Sequence, residues 1–181
     1  ASDVYKRQGQ GLANAVGIAI AEKILNNKYG NICDHNTWVV AGDGCLMEGI
    51  SHEAISIAGH LKLNKLIVIF DDNKISIDGP TSLTCSDDQK KRFEACNWET
   101  VEINAHDFES IEYGLNLSLK SKKPTLIISK SIIGYGLAAA QLQRIRDAGI
   151  KLTACVDKVA ASGGYIMACV ANKIVSAAFA I

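Results

Sequence analysis

Gly42, Asp43 and Gly44 form a Gly-Asp-Gly turn directly after the apolar run Thr37–Ala41. Two glycines let a backbone turn sharply and come close to a ligand, and a helix opening after them offers free N–H groups and a positive dipole end to an anion. The turn is therefore suited to a phosphate. A carboxylate beside a phosphate makes sense with a cation between them, so Asp43 reads as a ligand to a divalent metal. A second loop, Asp71 to Gly79, follows the apolar run Leu66–Phe70 and contains Asn73. Mg2+ takes roughly six oxygens in an octahedron, and Asp43, the Asn73 amide oxygen, one backbone carbonyl after it, two diphosphate oxygens and a water would supply them. A Gly-Asp-Gly turn alone is usually only a turn, so the weight rests on spacing. The 27 residues between Gly44 and Asp72 leave room for one helix and one strand.

The elements that must hold these loops can be read from periodicity. Leu12, Val16, Ile20 and Ile24 recur at i, i+4, with Asn14 and Glu22 off that stripe, and predict a helix over Leu12–Leu25 entered through Gly9-Gln10-Gly11. Thr37–Ala41 and Leu66–Phe70 read as strands buried on both faces, with Met47–Leu61 helical between them. The alternation continues with a strand at Glu99–Ile103, a helix at Phe108–Leu119 capped by Asp107, and a strand at Thr125–Ser129 after Pro124. Strand and helix in alternation predict a three-layer α/β/α fold with a mostly parallel sheet. Ligands of such folds bind at the carboxyl ends of the strands, where both loops would fall.

Bulk composition narrows the function classes. In 181 residues, 48% are hydrophobic and 21% charged, and Lys plus Arg balance Asp plus Glu at 19 each. That suits one soluble domain and argues against a polyanionic partner or an anionic membrane surface. No apolar stretch approaches membrane-spanning length and no signal peptide opens the chain, so a cytoplasmic location is expected. The cysteines, Cys33, Cys45, Cys85, Cys96, Cys155 and Cys169, lack paired spacing and are expected to be reduced and mostly buried. Residues 137–181 hold 12 alanines in 45 positions, against 9 in the 128 positions of 9–136, which marks a boundary near Gly136.

Three strings carry a family resemblance: Gly9 to Gly17 (GQGLANAVG), Gly42 to Glu53 (GDGCLMEGISHE) and Asp71 to Gly79 (DDNKISIDG). In this order they resemble transketolase over about residues 9–136. The resemblance implies a thiamine-diphosphate-binding fold, thiamine diphosphate with Mg2+ or Ca2+, and transfer of a two-carbon ketol unit between sugar phosphates in the pentose phosphate pathway by a homodimer. It implies that Asp43, Asn73 and the Ile75 carbonyl ligate the metal, that Gly42 and Gly44 meet the diphosphate, and that Gly11 lies near the cofactor. Glu48 corresponds to a family glutamate at the dimer interface, close to the cofactor. By the first-turn position alone, Glu48 would read as a solvated acid favoured by the helix dipole. Deoxyxylulose-phosphate synthase shares the cofactor motif without the GDGCLMEGISHE string, whereas dihydroxyacetone synthase shares much of it and stays an alternative.

The remaining segments depart from this pattern. Residues 1–8 resemble a translated sequencing-adapter remnant and are set aside. From about Gly134 the chain resembles the SohB and signal-peptide-peptidase-A serine peptidases, with Ser162 as the implied nucleophile and a small βα tail expected over 137–181. That offers a peptidase fragment as a second hypothesis, and a non-catalytic α/β binding module is a third. His35, His52, His60 and His106 match no family catalytic histidine and read as surface or structural. Because the family's activating glutamate comes from another domain, the chain alone is expected to be inactive. A coupled assay with xylulose 5-phosphate and ribose 5-phosphate is expected to give no product above the blank.

Overall fold

The computed structural model describes residues 9–76, 79–132, 144, 147–149, 151, 153–156 and 173–176. It divides into two units, one formed by Ala1–Asp72 with Thr84–Lys130 and the other by Asn73–Leu83 with Ser131–Ile181.

The first unit is organised by a strand with an apolar side chain at its first five positions, β2 (Leu66–Asp72). Leu66, Ile67, Val68 and Phe70 are all buried, which requires cover on both faces. Cover comes from a four-stranded sheet in the order β1-β2-β6-β5, with β1 at Thr37–Gly42, β5 at Glu99–Asn104 and β6 at Thr125–Lys130. All three pairings are parallel, and the β1–β2 register sets Thr37 beside Leu66 and Gly42 beside Asp71. The alternation of the sequence thus becomes the expected parallel sheet with helices on both faces.

On one face, α1 (Gln10–Tyr29) and α3 (Gly49–His60) place Leu12, Val16, Ile55 and Ala58 against Val68, Phe70, Leu126 and Ile128. On the other, Ile111 and Leu115 of α5 (Phe108–Lys120) cover Ile67, Val101, Ile103 and Ile127. Each fully buried Leu or Ile contributes about 1.5–3 kcal/mol over its exposed state. A short helix, α4 (Gln89–Ala95), precedes β5, with the Asp88 side chain accepting from Lys91 N at its start. Phe93 of this helix packs edge-to-face on Trp98 at 4.9 Å, and Trp98 Nε1 donates to Ile55 O at 2.9 Å. Asp107 caps α5 as expected, accepting from Glu109 N.

Several expectations need correction. The i, i+4 stripe of α1 does not stay on one face, because a step of four residues overshoots a turn by about 40°, leaving Ile24 about 120° round from Leu12. The buried face is instead Leu12, Ala15, Val16, Ala19 and Glu22, while Ile24 is exposed. Glu22 is buried because Lys65 Nζ donates to it at 2.7 Å and also bonds Asp34. These bonds, to Asp34 first and then Glu22, raise the Lys65 pKa above its ordinary value.

β1 is buried on one face only, leaving Trp38 and Val40 at 41% and 69% exposure, because α5 overlies β5 and β6. Cys33, Cys45, Cys85 and Cys96 are free thiols but half-buried, Cys45 lying within a five-residue helix and the others at an element end or in a loop. The Cys155 side chain and all of Cys169 lie outside the described residues. The predicted helix Met47–Leu61 is broken, as described below.

In the second unit, β3 (Ile75–Ser76) and β4 (Gly79–Pro80) form a small antiparallel ladder, and β7 (Thr153–Val156) pairs in parallel with β8 (Lys173–Ser176). Both of these last strands lie within the βα tail expected over 137–181, most of which falls outside the described residues. Among those described, no helix is long and apolar enough to cross a membrane.

Two glycines show how tightly the layers meet. A Cβ on Gly59 would stand 1.6 Å from the Cys96 carbonyl oxygen, and one on Gly114 would stand 2.7 Å from an Ile103 methyl. Backbone cannot yield as a methyl can. Gly59→Ala is therefore expected to cost about 3 kcal/mol in urea unfolding and Gly114→Ala clearly less; equal losses would contradict this account of the α3 contact.

Candidate functional site

The site begins where β1 ends. Gly42 has φ −97 and ψ 176, an extended conformation open to any residue, so its glycine is not required for the turn itself. A Cβ at Gly42 would meet no atom within 4 Å among the described residues, so the glycine leaves backbone open to a ligand on that side. Asp43, half-buried, opens α2 (Asp43–Met47), which runs for only five residues. Because Gly42 and Asp71 are register partners, the Gly-Asp-Gly turn and the Asp71 loop leave the sheet at one carboxyl edge, as the spacing required.

The helix expected from Met47 is interrupted at Glu48, which takes φ −71 and ψ 143 between α2 and α3. A helix that ends leaves carbonyls without intrahelical partners. Here Ser51 Oγ donates to Cys45 O at 2.5 Å and Arg92 Nη2 donates to Leu46 O at 2.9 Å. Ser51 N also donates to Glu48 O at 3.0 Å. Glu48 itself is exposed. Periodicity missed this break, although Gly49 directly after it is a poor helix former, because Leu46, Met47 and Glu48 favour a helix and one of the two supports comes from Arg92 on a separate helix.

Gly9 seals the corner from the other side. Its φ of +72 suits glycine, and a Cβ there would fall 2.6 Å from Ser51 Oγ and 3.3 Å from the Glu48 Cβ. Gly11, in the first turn of α1, lies beside β1, where an added Cβ would come to 3.7 Å from Val39. Ser51 and Arg92 are the corner residues that sequence reasoning did not single out, whereas Gly9 entered it only as the opening of α1.

Asn73 and Ile75 belong to the second unit. Asn73 Oδ1 accepts from Ile75 N at 2.9 Å, an Asx turn that fixes the amide orientation. A carbonyl oxygen has two lone pairs, so this bond leaves it able to ligate a cation as well. Thr81 N donates to Lys74 O at 2.9 Å and closes the loop. Carboxylate, amide and backbone carbonyl are hard oxygen donors, which fit Mg2+ or Ca2+ rather than a thiophilic metal. No group of three or more His, Cys, Asp or Glu side chains suited to a metal occurs among the described residues, so such a site would depend on carbonyl oxygens and on the ligand's own.

The histidines do not converge. His35, His52 and His60 are exposed, and His52 faces Arg92 Nη1 at 3.1 Å. A surface cavity of about 520 Å3, lined by Glu99, Tyr113, Leu117 and Lys120 among others, lies at the amino end of β5. The chemistry of the two glycine-acid loops belongs to the opposite edge. Ser162 lies outside the described residues.

Fold and strand-end loops together define a class: a three-layer α/β/α protein with its candidate ligand site at the carboxyl edge of a parallel sheet. A family profile described as transketolase, thiamine diphosphate binding domain, matches residues 7–159, and one of peptidase family S49 matches residues 144–181. A transketolase of Sinorhizobium medicae is 49% identical over 134 residues, covering 74% of this chain and 19% of that protein. The crystal structure of transketolase from Campylobacter jejuni matches with TM-score 0.70 at 41% identity, over 78% of this chain and 25% of the other. Transketolase from Pichia stipitis in complex with sedoheptulose 7-phosphate matches with TM-score 0.70 at 38% identity, over 78% and 24%. The chain belongs to the transketolase family, through its thiamine diphosphate binding domain. It spans about a fifth of the length of the curated relatives it matches.

The corner at Glu48 supplies a direct check. Ser51→Ala removes the buried donor to Cys45 O and is expected to lower unfolding stability by about 1–2 kcal/mol, read as a lower urea midpoint at unchanged slope. A midpoint equal to the parent's would show that the hydroxyl does not hold the break.

Proposed function

We propose that residues 9–136 form the diphosphate-binding and metal-binding part of a cytoplasmic, homodimeric transketolase, which moves a two-carbon ketol unit between sugar phosphates. The observation that carries this reading is the β1–β2 register, which sends the Gly42 turn and the Asp71 loop out of one sheet edge. Support also comes from the solved Pichia stipitis transketolase that holds sedoheptulose 7-phosphate. Dihydroxyacetone synthase-like ketol transfer is the nearest alternative within the same chemistry.

In this reading Asp43, Asn73 Oδ1 and the Ile75 carbonyl hold Mg2+ or Ca2+, and Gly44 meets the diphosphate through its backbone. Gly42 keeps the approach open and Gly11 lies near the cofactor. Bound thiamine diphosphate supplies carbanion stabilisation at the ketol carbon. The chain's own task is to neutralise and orient. Asp43 brings a negative charge that a diphosphate tolerates only through the metal, and the Asx turn at Asn73 holds an amide oxygen ready without further ordering. Glu48 is cofactor-proximal and reaches toward the partner subunit.

Residues 137–181 form, in the same reading, a segment of S49-type peptidase ancestry joined near Gly136, with Ser162 in the nucleophile position. Residues 1–8 belong to neither. A genomic clone that reads without interruption through a transketolase sequence on both sides of Gly136 would overturn the join.

Isothermal calorimetry tests the metal assignment. Thiamine diphosphate is expected to bind weakly with Mg2+ and not measurably in a chelator, because much of the usual affinity comes from contacts to the rings rather than the diphosphate. Asp43→Ala is expected to weaken binding at least about tenfold. Equal binding in chelator, or by the alanine variant, would remove Asp43 from the metal.

A further inference from the structure

We infer that Arg92 is a positioning residue for Glu48, its guanidinium bridging the two helices that meet there. The inference rests on the reading of Glu48 as cofactor-proximal, but its geometry stands apart from that reading. Among the described residues, the Glu48 carbonyl accepts from Ser51 N at 3.0 Å, and groups on either side of Glu48 bear on the angle between α2 and α3. Arg92 touches both sides. Nη2 donates to Leu46 O, the penultimate carbonyl of α2, at 2.9 Å, while Nη1 lies 3.1 Å from a ring nitrogen of His52 on α3.

The side chain comes from a base that does not move freely. Its neighbour Phe93 is fully buried and packs on Trp98, and Trp98 is bonded to Ile55 of α3. Asp87, 3.8 Å away, partly balances the charge. The Arg92 side chain is only 17% exposed, and burial lowers its pKa from the ordinary value, but a guanidinium stays charged at neutral pH. A half-buried cation is retained here because a planar fork can reach the Leu46 carbonyl with one arm and the His52 ring with the other. A lysine, a single point charge on a flexible stem, cannot. Gly9 and Ser51 fix the same corner from within, but both are local to it. Arg92 ties it to α4 and, through Trp98, to the start of β5.

Hydrogen exchange of the 181-residue chain, followed by mass spectrometry, decides the matter. Arg92→Met is expected to raise exchange across residues 43–54 about tenfold, the loss of a charge-assisted hydrogen bond, with β2 and β6 unchanged. Arg92→Lys is expected to resemble Arg92→Met more than the parent. Unchanged exchange over 43–54 overturns the proposal, as does an equal rise in β2 and β6, which would mark a general structural role. Parent-like behaviour of Arg92→Lys overturns the fork. Should Arg92→Met fail to fold, His52→Ala removes the α3 arm alone and is expected to raise exchange over 49–54, and no rise there overturns the bridge. In parallel, thiamine diphosphate with Mg2+ is titrated into each variant. A parent that does not bind the cofactor refutes the proposed function, while the exchange data still decide Arg92.

Discussion

Parallel pairing of β1 with β2 is the constraint on which the rest of this domain depends. Two parallel neighbours cannot be joined by a tight turn, so the chain must cross over, and α2 and α3 are that crossover. The same pairing sends the end of each strand to one edge, where Gly42 stands beside Asp71. It also demands that β2 be apolar throughout its central stretch, since helices must cover both of its faces. One choice of strand direction therefore accounts for the composition of Leu66–Phe70, the helix between the motifs and the exit of Gly42 and Asp71 at one sheet edge.

What the sequence made legible was whatever depends on period and on local chemistry. Leu66–Phe70 could be read as a buried strand because almost nothing else tolerates five apolar residues bounded by Lys65 and Asp71. Asp107 could be read as a cap because its effect ends two residues away. The exit of the Gly42 turn beside Asp71 could be read because the spacing between the two motifs leaves room for one helix and one strand. Features that depend on distant residues were not legible. The break at Glu48 is supported by the bond from Arg92 to Leu46 O, and the burial of Glu22 by Lys65, pairs separated by 46 and 43 residues. Helix propensity says nothing about either. The α1 stripe failed for a different reason, since i, i+4 steps drift round the helix and carry Ile24 to solvent while Ala15 and Ala19 fall on the buried face.

The two supports of the Glu48 corner differ in what they ask of the protein. Ser51 acts within three residues of the break and would follow it through small movements. Arg92 acts from a separate helix whose placement relies on Phe93 and Trp98, so the corner inherits the rigidity of an aromatic core. Preorganisation of this kind suits a residue that must meet a ligand at a set distance.

The two edges of the sheet are treated differently. β5 carries Glu102, whose carboxylate is held by Lys130 and Lys90, and this charge discourages another strand from adding there. β1 reads Thr-Trp-Val-Val-Ala-Gly, without a charge or proline, has one strand neighbour among the described residues, and turns Val40 outward. Such an edge is a template for backbone pairing between molecules. Where such an edge stands uncovered it offers a route to edge-to-edge growth between molecules, and a lysine on β1 is the natural remedy for anyone who wishes to keep the polypeptide in solution.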